Sequence, residues 1–230
     1  MSFSPPDLLV VTGMQREAQI AAGDGVMTVC SGGSRSILSQ WLAGVEPPRG
    51  GVLSFGLAGG LAPDLRSGDL VLASHVFEQS ERHDVHNDWH GAILSASQDT
   101  MRVRYGAMTG HDAVVARAAD KAALHANSGA LAVDMESHIA ALYARKHGLP
   151  FAIIRVVSDP VTRSLPPLAS NALKPDGNID MSKVLKGVMR NPGQLPALIA
   201  AGFDSGRAFA SLRRVRSLLG PLFGLRLPHL

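Results

Sequence analysis

Three acidic residues stand just beyond apolar runs. Glu17 follows the run 7–12 and Gly13. Glu136 follows the run 130–133 and the pair Asp134-Met135. Asp159 closes the most hydrophobic run, 151–157, after Ser158. A carboxyl group at the end of a buried strand loses hydration, which disfavours its charged form and raises its pKa. It can then hold a proton near neutral pH, as a general acid must. Structural roles are open to each as well. Asp159 before Pro160 has the form of a helix N-cap followed by proline at the first helical position. Asp134 and Glu136 at a helix start would complement the helix dipole, and Glu17 could be a surface acid. A further cluster, His83, His86 and His90 with Asp84 and Asp88, has spacing that would suit a metal. It reads better as a polar edge loop, and no metal is assigned.

The elements that must position these groups centre on the stretch 51–63. There an apolar run, Gly51 to Phe55, meets Gly56, Gly59 and Gly60 and then a Pro-Asp turn. Glycine serves where the backbone bends past positive φ or where another group approaches too closely for a side chain. At the end of a strand in an α/β protein such a turn is where small molecules bind. Around it, strands are expected at 7–12, 25–30, 52–55, 70–76, 105–109, 130–133 and 151–157. Helices are expected at 14–20, 35–42, 113–125 and 134–147, the last closed by Gly148 with Pro150 beyond. Residues 78–90 read as loop or edge. Continuous apolar strands alternating with helices predict an α/β protein with a mixed or parallel sheet flanked by helices. From 162 to 196 the chain is punctuated by proline, and from Gln194 it becomes helical again.

Composition narrows the class. The 230 residues, 46% of them hydrophobic, suit one ordinary globular domain. The lone Cys30 excludes an intrachain disulfide and fits a reducing compartment. The first residues, Met1 to Asp7, show neither a basic region nor a long apolar one, so no signal peptide is expected. No run reaches the length of a membrane span. The net charge of +3 conceals an asymmetry, because residues 181–230 hold eight basic residues and one acid, Asp204. A basic stretch on an acidic body concerns a partner surface. Phe209, Leu212, Val215 and Leu219 form one helical stripe, with Arg207, Arg213, Arg214 and Arg216 as the charges. A basic amphipathic helix over about 195–220, with the apolar end 220–225, is expected to lie on an anionic membrane or to dock on its own domain or on a second subunit. Nucleic acid is not expected, for want of interleaved aromatics.

Read in order, Thr12-Gly13-Met14-Gln15-Arg16-Glu17, the stretch 56–69, Val133-Asp134-Met135-Glu136 and Arg155-Val156-Val157-Ser158-Asp159 resemble the nucleoside phosphorylase and nucleosidase family. The methylthioadenosine/adenosylhomocysteine nucleosidase branch is the most similar. The tail motifs, Leu165-Pro166-Pro167, Lys174-Pro175-Asp176-Gly177 and Asn191-Pro192-Gly193-Gln194 among them, resemble the phosphorylase subgroup associated with hopanoid biosynthesis. The resemblance implies a three-layer αβα sandwich with a central mixed sheet. Residues 1–160 would form the core, and 161–230 an extension completing it. It implies cleavage of an N-glycosidic bond, with adenosylhopane as the substrate and inorganic phosphate as co-substrate, and no other cofactor. It makes Asp159 the acid that protonates the leaving purine, oriented by Ser158. Glu136 would grip the ribose hydroxyls with Met135 packed on the sugar, and Glu17 would hold the attacking water of the hydrolases. Phosphate would fall to Gly13, Arg16, the Ser31-Gly32 turn with Arg35, and Gly59. Leu57 replaces a hydroxyl residue of the relatives, which leaves hydrolysis open. No aromatic stands where relatives stack the base, so Val114 is assigned there. A homo-oligomer in the cytoplasm, peripheral to the inner membrane, is the expected setting. The rival readings are a nucleosidase for soluble methylthioadenosine-like nucleosides and a non-catalytic adenosine-binding protein.

Overall fold

The computed structural model describes residues 5–226, so Met1 to Ser4 of the amino-terminal reading lie outside it. Eight strands and eight α-helices follow in the order β1 Leu8–Thr12, α1 Gln15–Ala21, β2 Val26–Cys30, α2 Arg35–Gly44, β3 Gly51–Gly60, β4 Leu70–Glu78, β5 Glu81–Asp84, α3 Asn87–Ser97, β6 Val103–Gly110, α4 Ala118–Ser128, β7 Ala132–Asp134, α5 Ser137–Lys146, β8 Phe151–Asp159, α6 Pro167–Ser170, α7 Met181–Arg190 and α8 Leu195–Leu218.

The strands form one mixed sheet. β1, β2, β3 and β8 run parallel, β4 pairs antiparallel with β8 and parallel with β6, and β7 joins β6 to the far end of β3. The path from β3 through β8, β4, β6 and β7 returns to β3, so the sheet curls closed over part of its length. Both faces are covered, and alternate residues of β1 show it. Leu9 and Val11 pack with α2 and α5, while Leu8 and Val10 pack with α3 and α8. Full burial of both faces explains why these strands are continuously apolar rather than alternating. The expected α/β sandwich with a central mixed sheet is thus present.

Several elements differ from expectation. The glycine-rich stretch is no turn, because β3 continues to Gly60 and breaks register only at a bulge between Ala58 and Gly59. Its glycines are needed for close approach, since a Cβ on Gly56 would lie 2.6 Å from Glu17 Cδ and 2.8 Å from Arg155 Nη1. Residues 78–90 are more regular than a loop, holding the edge strand β5 and the start of α3. No helix follows Asp159, so its N-cap reading is wrong. α4 starts at Ala118, later than the alanine pattern suggested, and Glu136 precedes α5 rather than entering it.

For the C-terminal stripe the structure selects one of the expected settings. Phe209, Leu212, Val215 and Leu219 are buried in the core, and Phe223 of the apolar end is fully enclosed. Trp89 Nε1 donates to Phe223 O at 2.8 Å, and the Phe223 ring meets Phe55 edge-on at 5.1 Å. This part of α8 therefore docks on its own domain.

Candidate active site

The parallel strands bring their C-terminal ends to one edge, where a cleft of about 160 Å³ opens. Glu17, Met135, Glu136, Ser158, Asp159, Gly13, Gly59 and Val114 all line it. Segments more than a hundred residues apart in sequence thus meet at one place.

Glu17 is buried on the first turn of α1. Its Oε2 accepts from Gly13 N and Met14 N, both at 2.8 Å, and its Oε1 accepts from Leu57 N at 2.7 Å. Burial raises its pKa to about 7 and the nearby Glu136 adds to the rise, while Arg155 and the amides oppose it. Glu136 is held by Ser31, whose Oγ donates to Oε1 at 2.8 Å, and by Arg155 Nη2, 3.3 Å from Oε2. Its pKa too is raised by burial, against the pull of Arg155.

Arg155 is the hub of this polar core. It is fully buried in β8, with Nε 2.7 Å from Asp134 Oδ2, Nη2 donating to Ser54 Oγ at 2.6 Å and Nη1 donating to Leu57 O at 3.2 Å. Burial would lower its pKa, but Asp134, Glu136 and Glu17 together push it above its ordinary value. Three carboxyl groups share one guanidinium. The charge imbalance is relieved when Glu17 or Glu136 keeps a proton, as their raised pKa values allow. Asp134 also accepts from Ser137 N at 3.1 Å, so one carboxylate both caps α5 and fixes Arg155.

Asp159 occupies a separate corner, beside the bulge in β3. Ser158 Oγ hydrogen-bonds its Oδ1, and Lys121 Nζ lies 2.5 Å from its Oδ2. Lys121 reaches in from α4, is completely buried, and also donates to Arg163 O at 2.9 Å. Burial raises the pKa of Asp159, and Lys121 is the chief opposing influence.

Other assigned residues lie elsewhere or serve differently. Arg16 stacks over Phe209 at 4.1 Å and does not line the cleft. Ser31 is engaged with Glu136, and Gly32 packs so closely on the backbone of Lys174 and Pro175 that a Cβ would overlap Pro175 O. Arg35 is paired with Glu78 at 2.7 Å and Asp112 at 3.0 Å. Of the assigned phosphate ligands only Gly13 and Gly59 line the cleft, and the amides of Gly13 and Leu57 are bound to Glu17. Val114 stands at the cleft with Val115, Leu165 and Leu173, an aliphatic lining without an aromatic. Of the histidine cluster only His83 joins a possible ligand set among the described residues, with Glu78 and Glu81. His86 accepts from Trp89 N, and His90 packs on Tyr105.

Sequence reasoning missed Arg155 and Lys121. Arg155 had a signal, since a charge inside an apolar strand requires buried partners. Lys121 had none, because a lysine on an alanine-rich helix normally faces water.

The phosphorylase superfamily profile matches residues 34–172 of this sequence, more than half the chain. The chain belongs to the phosphorylase superfamily. No curated protein sequence matches it. Among solved structures, this superfamily member is similar to the 5′-methylthioadenosine/S-adenosyl homocysteine nucleosidase of Helicobacter pylori. The two share 17% identity over 82% of this chain and 99% of that one, with a TM-score of 0.61. The futalosine hydrolase of the same organism is equally similar, at 17% identity and TM-score 0.61 over 80% of this chain and 97% of that one. So is the Neisseria meningitidis 5′-methylthioadenosine/S-adenosylhomocysteine nucleosidase, at 17% identity and TM-score 0.61 over 80% and 98%. At this identity the likeness concerns the fold.

Proposed function

We propose that this phosphorylase-superfamily protein cleaves the N-glycosidic bond of an adenosine whose 5′ position carries an apolar group, with water as the attacking nucleophile. The observation that carries the reading is the setting of Glu17. Its carboxyl group faces the cleft with a pKa of about 7, locked by three backbone amides. Those amides are the donors a phosphate would need, and a carboxylate already fills them. A base poised near neutral pH can orient a water and take its proton. Asp159, in its own corner of the cleft, supplies the proton for the leaving base. Glu136 orients the ribose hydroxyls, and the charge of Glu17 favours the cationic character that develops on the sugar. No covalent nucleophile is required, and positioning accounts for much of the acceleration. The names of the similar solved proteins, nucleosidases and a hydrolase, agree with water as nucleophile.

A second reading, phosphorolysis of adenosylhopane, draws on a specific observation. The tail whose motifs resemble the hopanoid-associated phosphorylases contributes Leu165 and Leu173 to the cleft wall. One assay separates the two. Adenine release from a short 5′-alkyl adenosine is measured with and without inorganic phosphate. Equal release without phosphate, abolished in Asp159→Asn, is the expected result. Release only with phosphate, yielding a ribose-1-phosphate product, replaces hydrolysis by phosphorolysis. Tight binding with no release under either condition overturns the enzymatic reading in favour of an adenosine-binding protein.

A further inference from the structure

Half of the large apolar side chains left exposed among the described residues lie within 181–203, a tenth of the chain. On α7 they are Met181, Leu185 and Met189, and on the first turns of α8 they are Leu195, Ile199 and Phe203. Each set is spaced by four residues, so each forms a stripe along one helix face. The opposite edge of α7 is already used. Gly187 packs so tightly on Leu168 of α6 that a Cβ would lie 2.2 Å from Leu168 Cδ2, with Val184 and Val188 half-buried beside it. The outward stripe has no such partner, and Met189 and Phe203 are 77% and 71% exposed. Lys183, Lys186 and Arg190 flank it, and no acid occurs between Asp180 and Asp204.

We infer that this helical pair is a docking surface for an anionic phospholipid bilayer. An amphipathic helix with a methionine- and leucine-bearing face beside a cationic one is built to lie in the headgroup region. A surface free of acids over more than twenty residues is complementary to anionic lipid rather than to a mixed-charge protein patch. The pair is anchored rather than loose. Asp180 N donates to Ala172 O at 2.7 Å, and Lys183 Nζ donates to Asn171 O at 2.7 Å. Leu173, the next residue, lines the catalytic cleft. Docking therefore brings the cleft wall to the lipid surface, where a nucleoside with a long apolar substituent would reside. The docking does not depend on the reaction proposed above. No helix of the described residues is long and apolar enough to cross a membrane, so the contact is a surface one.

The test is flotation of the full chain with vesicles of phosphatidylcholine alone and of phosphatidylcholine mixed with phosphatidylglycerol. Binding is expected to the mixed vesicles only, and to weaken with salt. The variants are Leu185→Glu with Met189→Glu, and Lys186→Glu with Arg190→Glu. Each pair should lower partitioning by about tenfold or more while leaving thermal stability and turnover of a water-soluble 5′-alkyl adenosine unchanged. Failure to float with either vesicle, or flotation unaffected by both variant pairs, overturns the inference. Equal flotation on both vesicles overturns its charge component. Absence of flotation together with conversion of an oligomer to monomer by Leu185→Glu/Met189→Glu would show that a second copy of the chain covers this face.

Discussion

The division of labour between Glu17 and Asp159 comes from their neighbours. Both are buried carboxyls with raised pKa, but Glu17 is bound by neutral amides near a shared guanidinium, whereas Asp159 has a lysine of its own. In the proposed reaction Glu17 must be ionised and Asp159 protonated, so kcat/KM should follow a bell-shaped pH profile with one limb near pH 7, set by Glu17. Glu17→Gln should lower kcat by roughly 10²–10⁴-fold and remove that limb. Lys121 favours the ionised form of Asp159, so its removal shifts that acid upward. Lys121→Met should accordingly move the limb set by Asp159 to higher pH. A limb that stays in place would mean that Lys121 only fills space. Glu17, Glu136 and Asp159 were legible in the sequence because each follows an apolar run. Arg155 was half-legible, a charge inside Phe151–Val157 that only burial with partners could justify. The sequence held no trace of Lys121, because nothing local distinguishes a buried lysine from a solvated one.

At the scale of elements, the glycine-rich stretch matters for what it lacks. β3 passes directly over Glu17 and Arg155, and any Cβ at Gly56 would press on both charged groups. Gly56→Ala should therefore destabilise the protein by about 2–4 kcal/mol and lower kcat/KM even well below its midpoint of thermal unfolding. Gly129 provides the contrast. It ends α4 at φ 67° with no atom within 4 Å of a built Cβ. Gly129→Ala should cost only the backbone strain, about 1–2 kcal/mol, and leave activity intact. Thermal unfolding and initial rates on the two variants check the pair, and equal loss of activity in both would refute the contact argument. The strands were legible because burial of both sheet faces leaves an uninterrupted apolar signature. α3 was not, because the polar residues of 78–90 mask a helix that buries only Trp89, His90, Ile93 and Ser97. The turn expected at 56–60 came from taking glycine as a sign of bending, when close approach required it.

Across the whole molecule, the basic C-terminal region divides into a docked half and an open half. Sequence alone could not separate them, because both show apolar residues at helical spacing beside arginine or lysine. Packing separates them: Phe223 is sealed between Phe55 and Trp89, whereas Phe203 stands in solvent. Phe223→Ala should cost about 3–5 kcal/mol and Phe203→Ala about 0.5 kcal/mol or less, as read by urea unfolding. The same measurement made across pH tests what the buried acid at the cleft costs the fold. Glu17 ionises at about 7 in the native state and near its ordinary value of 4.5 when unfolded. Between those values the folded chain binds more protons than the unfolded one, so its contribution to stability is complete below about pH 4.5 and is lost as pH rises through 7. The loss amounts to about 3 kcal/mol, from 1.36 kcal/mol per pKa unit. Glu17→Gln cannot ionise, so the stability difference between variant and native protein should shift by that amount, in favour of the variant, from pH 4.5 to above pH 7. A difference that does not change with pH would show that Glu17 is ionised in the folded protein well below neutrality. It would then no longer be a base poised at the pH where the proposed reaction needs one.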